Sequence, residues 1–259
     1  MAEDRQIATM HIASAPGIAK GHKYAFRWYI TSDMQMEYLV DYLRKDNIES
    51  EKIAFLHLND DYGKGSLQAF SKHLDSLGLD KKVFSESYQP DQSNFRSILA
   101  KVKNFNPDVI ALVGYSSSLG TLVKQIRQLD IEAKLIGDDA VSYPQILSAA
   151  GSAANGFVFA GLPIENISKD KQFYKTYTDM FDKEPNDFSV FTYGAAKILS
   201  TCITADDYKG SDDLARCLSS NEFETPLGTV RFDKDHNGTV NLILQTIESG
   251  NVRMLKNGI

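Results

Sequence analysis

Between residues 53 and 160, short apolar runs alternate with stretches of helical periodicity, and this alternation constrains the fold more than any other feature. Ile53-Ala-Phe-Leu-His-Leu58 and Asp108-Val-Ile-Ala-Leu-Val113 read as buried strands, Lys82–Ser87 as a weaker one, and Ala133–Ile136 and Gly156–Ala160 as short ones. Between them, Leu67, Phe70, Leu74 and Leu77 lie on one face of a helix over 64–77. Phe95, Ile98, Leu99 and Val102 stripe a second helix with Ser93 as its expected N-cap, and Leu119, Leu122, Val123, Ile126 and Leu129 stripe a third. A further helix falls near 143–150. Strands apolar on both faces, separated by helices, indicate a parallel sheet covered on both sides. The fold class is therefore α/β, with a doubly wound unit over 53–160.

The flanks break the alternation. Helices are expected over 33–46, 170–182, 186–205 and 211–219, then strand-like runs at 227–232 and 240–247 separated by a polar turn. A chain of 259 residues has room for one or two domains and a sizeable core. The net charge of -6 argues against a nucleic-acid partner, which would select a basic face. No window approaches 18 consecutive apolar residues. The first residues are polar and acidic, and no apolar signal-peptide core follows them.

Open parallel sheets bind ligands outside the carboxyl ends of their strands. Three adjacent carboxyl ends here carry Asn59-Asp-Asp-Tyr-Gly-Lys-Gly65, Gly114-Tyr-Ser-Ser-Ser118 and Gly137-Asp-Asp-Ala140. They would bring together Tyr62, Tyr115 and the pair Asp138 and Asp139. Aromatic walls with a carboxylate suit a small ligand bearing an ammonium group. The plainer reading is that these Asp and Gly residues make turns and the tyrosines cover strand ends.

Other motifs point away from catalysis and metals. Asp233-Lys-Asp-His-Asn-Gly238 opens like a calcium loop, but its twelfth position is Leu244 instead of the bidentate Glu, so a polar hairpin turn is expected. Gly63-Lys-Gly-Ser66 lacks phosphate-loop spacing. Ser116–Ser118 could hold an anion at a helix start or simply cap it. The five histidines are scattered, and His57, inside an apolar run, reads as a satisfied core residue. With no nucleophile elbow and no Cys beside a base, no enzyme, no metal and no cofactor are expected. Cys202 and Cys217 could bridge in an oxidising compartment or stay as two buried thiols.

An ordered set of motifs then spans nearly the whole chain: Tyr24-Ala-Phe-Arg27, Thr31–Gln35, Lys52–His57, Asp61-Tyr-Gly-Lys-Gly65, Asp91–Phe95, Asn106-Pro-Asp-Val-Ile110, Gly114-Tyr115, Gly137-Asp-Asp139, Thr192-Tyr-Gly-Ala-Ala196 and Gly228–Asp233. The set resembles the type I periplasmic solute-binding proteins of ABC transporters, and most nearly their leucine/isoleucine/valine-binding members. The resemblance implies two α/β lobes joined by three crossovers, with the ligand clamped between them. It puts the crossovers near 30–33, 161–164 and 241–244, the first lobe at 1–31 plus 162–241, and the second at 32–161 plus 242–259.

The same resemblance implies that the early β/α units of the first lobe have no counterpart here, so that lobe is expected to be incomplete. It would then expose apolar surface on strand 7–12 and helices 170–205, with self-association as a consequence. Carried over residue by residue, Ala13 and Ser14 resemble the site for a ligand α-carboxylate, although the loop is shorter here. Tyr62 and Tyr115 match tyrosines that face the ligand, and Phe188 resembles an apolar wall. Asp139 matches the acid for the α-ammonium group, where the pattern has Glu. The implied function is extracytoplasmic, periplasmic or extracellular, binding of a branched-chain or similar amino acid, with a membrane permease as partner. The alternatives are the sensing domain of a receptor or a scaffold that no longer binds.

Overall fold

The computed structural model describes residues 3–15, 17–45, 52–163 and 171–255. In chain order its elements are β1 (Thr9–His11), β2 (Ala25–Arg27), α1 (Ser32–Lys45), β3 (Lys52–Leu58), α2 (Asp61–Ser76), β4 (Lys82–Tyr88), α3 (Arg96–Phe105), β5 (Val109–Val113), α4 (Ser117–Gln128), β6 (Lys134–Gly137), α5 (Pro144–Ala150) and β7 (Val158–Gly161). There follow α6 (Lys171–Phe181), α7 (Asp187–Ile203), α8 (Ser211–Ser220), β8 (Glu222–Thr225), β9 (Gly228–Arg231), β10 (Ile243–Glu248) and β11 (Asn251–Met254). The chain divides into two compact units: Met1–Thr31 with Leu162–Asn241, and Ser32–Gly161 with Leu242–Ile259. Residues 46 and 170, at the ends of two expected helices, and 164, in an expected crossover, lie outside the described residues.

The second unit is built on a seven-stranded sheet of order β11-β10-β7-β6-β5-β3-β4. The five strands from β4 to β7 run parallel. β10 joins β7 antiparallel, and β11 closes the edge against β10. All five side chains of β5 are buried, and on β3 only Lys52 is not. Each large aliphatic side chain so covered contributes roughly 1.5–3 kcal/mol. From β3 the chain moves outward to β4, then returns to the other side of β3 to form β5. The gap between β3 and β5 is therefore the topological switch point, where such sheets hold ligands.

Several helix starts differ from the sequence reading for physical reasons. α2 begins at Asp61, three residues early, because Asp60 caps it: its Oδ1 accepts the Gly63 N–H at 2.8 Å. Ser93 does not cap α3. Gln125, on α4, takes that role, its Oε1 accepting the Phe95 N–H at 2.9 Å while its Nε2 donates to the Ser93 carbonyl at 2.7 Å. His57 is a satisfied core residue, its Nδ1–H donating to the Leu58 carbonyl at 2.7 Å.

In the first unit, β1 and β2 form a parallel pair, and β8 and β9 an antiparallel hairpin. The expected strand 227–232 is thus the second half of a hairpin whose first half, β8, was not foreseen. The run 240–247 does not pair with it: β10 belongs to the other unit and pairs with β7. The polar turn between them is present, Asp233 Oδ1 accepting the N–H groups of Asp235 and Asn237 at 2.8 and 2.9 Å. Trp28, wholly buried, donates its indole N–H to the Thr239 carbonyl at 3.2 Å and meets Phe191 edge-on. Cys202 on α7 and Cys217 on α8 form a disulfide. Ile7, Met180, Phe181 and Tyr193 of this unit are exposed.

Candidate functional site

The switch point of the second unit carries two tyrosines. Tyr62 stands in the first turn of α2, which Asp60 fixes to the end of β3. Tyr115 follows the last residue of β5 by two positions and is 51% exposed. Their rings lie 5.9 Å apart at 57°. Tyr115 Oη donates to Asp60 Oδ2 at 2.7 Å, so one aspartate caps the helix bearing one tyrosine and tethers the other.

Asp138 and Asp139 follow β6, next to β5 in the sheet. Tyr62 Oη donates to Asp138 Oδ2 at 3.0 Å, and the Gly114 N–H donates to the same oxygen at 2.9 Å. Asp138 Oδ1 is buried without a hydrogen-bond partner among the described residues. Gln35, on α1, donates to Asp139 Oδ1 at 2.6 Å and to the Ala160 carbonyl at 3.1 Å. Asp138 is fully buried, and Asp139 retains 8% exposure.

This surface is acidic, and its two carboxyls are buried. Burial raises the carboxyl of Asp139 to about 6, against the Gln35 hydrogen bond, which favours the charge. Asp138 is pushed well above the usual carboxylate range, first by burial and then by the Asp139 charge; its bonds from Gly114 and Tyr62 act the other way. Burial also raises the Tyr62 phenol, with the Asp138 charge adding to it, so that phenol stays a donor. Such a surface can accept a cation from a small ligand and stack apolar atoms against two phenol rings.

A family model described as periplasmic binding protein matches residues 1–251. The chain belongs to this family. Its relatives include the leucine-, isoleucine-, valine-, threonine- and alanine-binding protein of Pseudomonas aeruginosa, 26% identical over 225 residues, which cover 86% of this chain and 60% of that protein. The chain therefore spans about three-fifths of the length of that curated relative. Among solved structures it resembles the branched-chain amino acid transporter substrate-binding protein LivJ of Streptococcus pneumoniae in complex with isoleucine, with a TM-score of 0.82 and 22% identity, covering 97% of this chain and 72% of that one. It equally resembles an ABC-transporter solute-binding protein of R. palustris in complex with benzoate, with a TM-score of 0.84 and 18% identity, covering 98% and 71%.

In this periplasmic binding protein, the second unit brings Tyr62, Tyr115 and Asp139 to one end of one sheet. Ala13 and Ser14 lie half-buried in the loop after β1, and Phe188 lies 49% exposed on α7 with its ring 5.6 Å from that of Tyr29; all three belong to the first unit. The loop after β1 is held by the buried Arg27, whose Nη1 donates to the Ala15 carbonyl at 2.6 Å and Nε to Asn237 Oδ1 at 3.0 Å. Sequence reasoning missed Gln35 and Arg27. Gln35 falls on the buried stripe of α1, where an amide among Met36, Leu39 and Val40 was a readable signal of a buried acceptor.

Proposed function

We propose that this chain binds a branched-chain or similar small amino acid outside the cytoplasm, for delivery to an ABC transporter permease, and that it performs no chemistry on its ligand. The observation that carries the reading is Asp139: a nearly buried carboxylate that follows β6, at the same end of the sheet as the paired rings of Tyr62 and Tyr115. The fold does not choose the ligand, because proteins of like fold hold isoleucine in one case and benzoate in another. The charge at the site supports the choice. A ligand ammonium would form a charge-assisted hydrogen bond with Asp139, whereas a ligand carboxylate in the same place would face the Asp139 carboxylate. Tyr62 and Tyr115 would pack against the ligand backbone. In the same reading the first unit contributes Ala13 and Ser14 to the α-carboxylate and Phe188 to the side chain.

The relative from Pseudomonas aeruginosa, named for five small amino acids, supports this ligand class, and the description of the matching family supports a periplasmic location. The disulfide supports an oxidising compartment. Calorimetric titration of the chain with a panel of L-amino acids tests the proposal. Saturable binding of leucine, isoleucine or valine that is weakened at least about thirtyfold in Asp139→Ala is the expected result. Absence of binding by the whole panel, or binding untouched by Asp139→Ala, would reject it.

A further inference from the structure

Asp138 is the one member of the acidic pair that no ligand can reach, since it is wholly buried. It nevertheless stands at the centre of a closed circuit of contacts. Its Oδ2 accepts both the Tyr62 hydroxyl and the Gly114 N–H. Gly114 precedes Tyr115, whose hydroxyl donates to Asp60 Oδ2, and Asp60 Oδ1 caps the helix turn that carries Tyr62. The circuit thus runs from Tyr62 through Asp138, Gly114, Tyr115 and Asp60 back to the turn of Tyr62. It ties the ends of β3, β5 and β6 together.

The surroundings leave Gly114 little freedom of its own. A Cβ there would lie 2.2 Å from the Tyr88 hydroxyl, which itself donates to the Val113 carbonyl at 3.0 Å. Tyr88 therefore fixes one side of this backbone, and Asp138 supplies the bond on the other. Tyr62, by contrast, is only half-buried, and Asp138 is the partner that its hydroxyl reaches. Burying a carboxyl with no basic side chain bonded to it is costly, and what Asp138 returns for that cost is these two hydrogen bonds.

From this circuit we infer that Asp138 is a positioning residue for ligand binding: it touches no ligand and sets the place of the Tyr62 phenol and, through Gly114, of Tyr115. The inference rests on the proposed binding of an amino acid at this face. It differs from a space-filling role because most of its effect on affinity passes through the Tyr62 hydroxyl.

Two readouts on the full chain test it, with L-leucine as the probe. In the free protein carrying 13C-labelled tyrosine, Asp138→Ala is expected to move the Tyr62 ring resonance and speed exchange of the Gly114 amide, while the Tyr88 resonance stays in place. In calorimetry, Asp138→Ala is expected to weaken leucine binding about tenfold, as for loss of one buried hydrogen bond. In a Tyr62→Phe background the same change should cost less than about threefold. Asp138→Asn keeps the acceptor oxygen and the volume, and should restore affinity to within about threefold of wild type. If the alanine variant does not fold, Asp138→Ser, too short to reach Tyr62, replaces it. Unchanged Tyr62 and Gly114 signals would overturn the inference, as would equal affinity losses in the two backgrounds or an asparagine variant no better than alanine. If wild type binds no leucine, the proposed function fails for that ligand, and the signals of the free protein still decide the role of Asp138.

Discussion

Gln35 Nε2 donates to Asp139 Oδ1 across 2.6 Å, and both side chains are buried. The same amide bonds the Ala160 carbonyl on β7, so both acceptors identify the nitrogen and orient the side chain. One oxygen of Asp139 is thereby held by the protein. Gln35→Leu, similar in volume, should leave that oxygen unpaired and raise the Asp139 carboxyl further. Leucine affinity at pH 7 should fall, and recover as the pH is raised. Identical pH profiles for the variant and wild type would contradict this.

Acid should act in opposite directions on stability and on binding. Asp139 titrates near 6 in the folded protein against an ordinary value of 3.8, so the folded state holds more protons than the unfolded chain between these values. This group therefore adds stability as the pH falls through that window, and the addition is lost as the pH rises through 6. Asp212, held low by the Lys23 ammonium, and Glu3, held low by the Lys23 backbone N–H, push the other way. The comparison with Asp139→Asn isolates the effect: in urea unfolding, wild type should gain on the variant between pH 7 and pH 4.5. An ammonium ligand needs the ionised form, so leucine affinity should weaken by up to about tenfold per unit below pH 6. Affinity that is flat from pH 5 to 7.5 would exclude Asp139 as the ammonium partner.

The disulfide closes a short loop between neighbouring helices. Cys202 and Cys217 are 15 positions apart, for which the chain-entropy model gives about 3 kcal/mol. Reduction, or the double change Cys202→Ala and Cys217→Ala, should lower stability by up to that amount. Loss of hydrogen-exchange protection should centre on α7, α8 and the β8–β9 hairpin. Titration of denatured, unreduced protein should find no free thiol; two thiols would refute the bridge.

Trp28 is the sole tryptophan, which makes the first unit easy to follow. A Cβ on Gly194 would lie 2.4 Å from two carbons of its indole ring. Gly194→Ala should therefore destabilise the protein by about 1–3 kcal/mol and shift the tryptophan emission to the red. Gly210→Ala, where a Cβ meets nothing within 4 Å, is the control and should leave emission unchanged.

The sheet was legible because β3 and β5 are continuous apolar runs, a pattern that two-sided burial imposes on the sequence itself. The position of the tyrosines and Asp139 at one end of the sheet was legible because the crevice rule looks to the carboxyl ends of strands. Other features depend on partners far along the chain. The cap of α3 comes from Gln125, 30 residues after Phe95, and Gln35 meets Asp139 across 104 residues. Local pattern also shows that 227–232 and 240–247 are extended, but not that the first pairs within one unit and the second within the other. The circuit through Asp138 was hidden for the same reason: two adjacent aspartates look alike until their burial separates them.

The central claim is that Asp139 receives the ammonium group of an amino acid. Paired calorimetric titrations at pH 7.5 with L-leucine and with 4-methylpentanoate, which is leucine without its amino group, test it most directly. Removing one partner of a desolvated charge pair costs about 2–5 kcal/mol, so the deaminated acid should bind at least about thirtyfold more weakly than leucine, or not at all. In Asp139→Ala that preference should collapse. Equal affinity of the wild-type chain for leucine and 4-methylpentanoate would contradict the account.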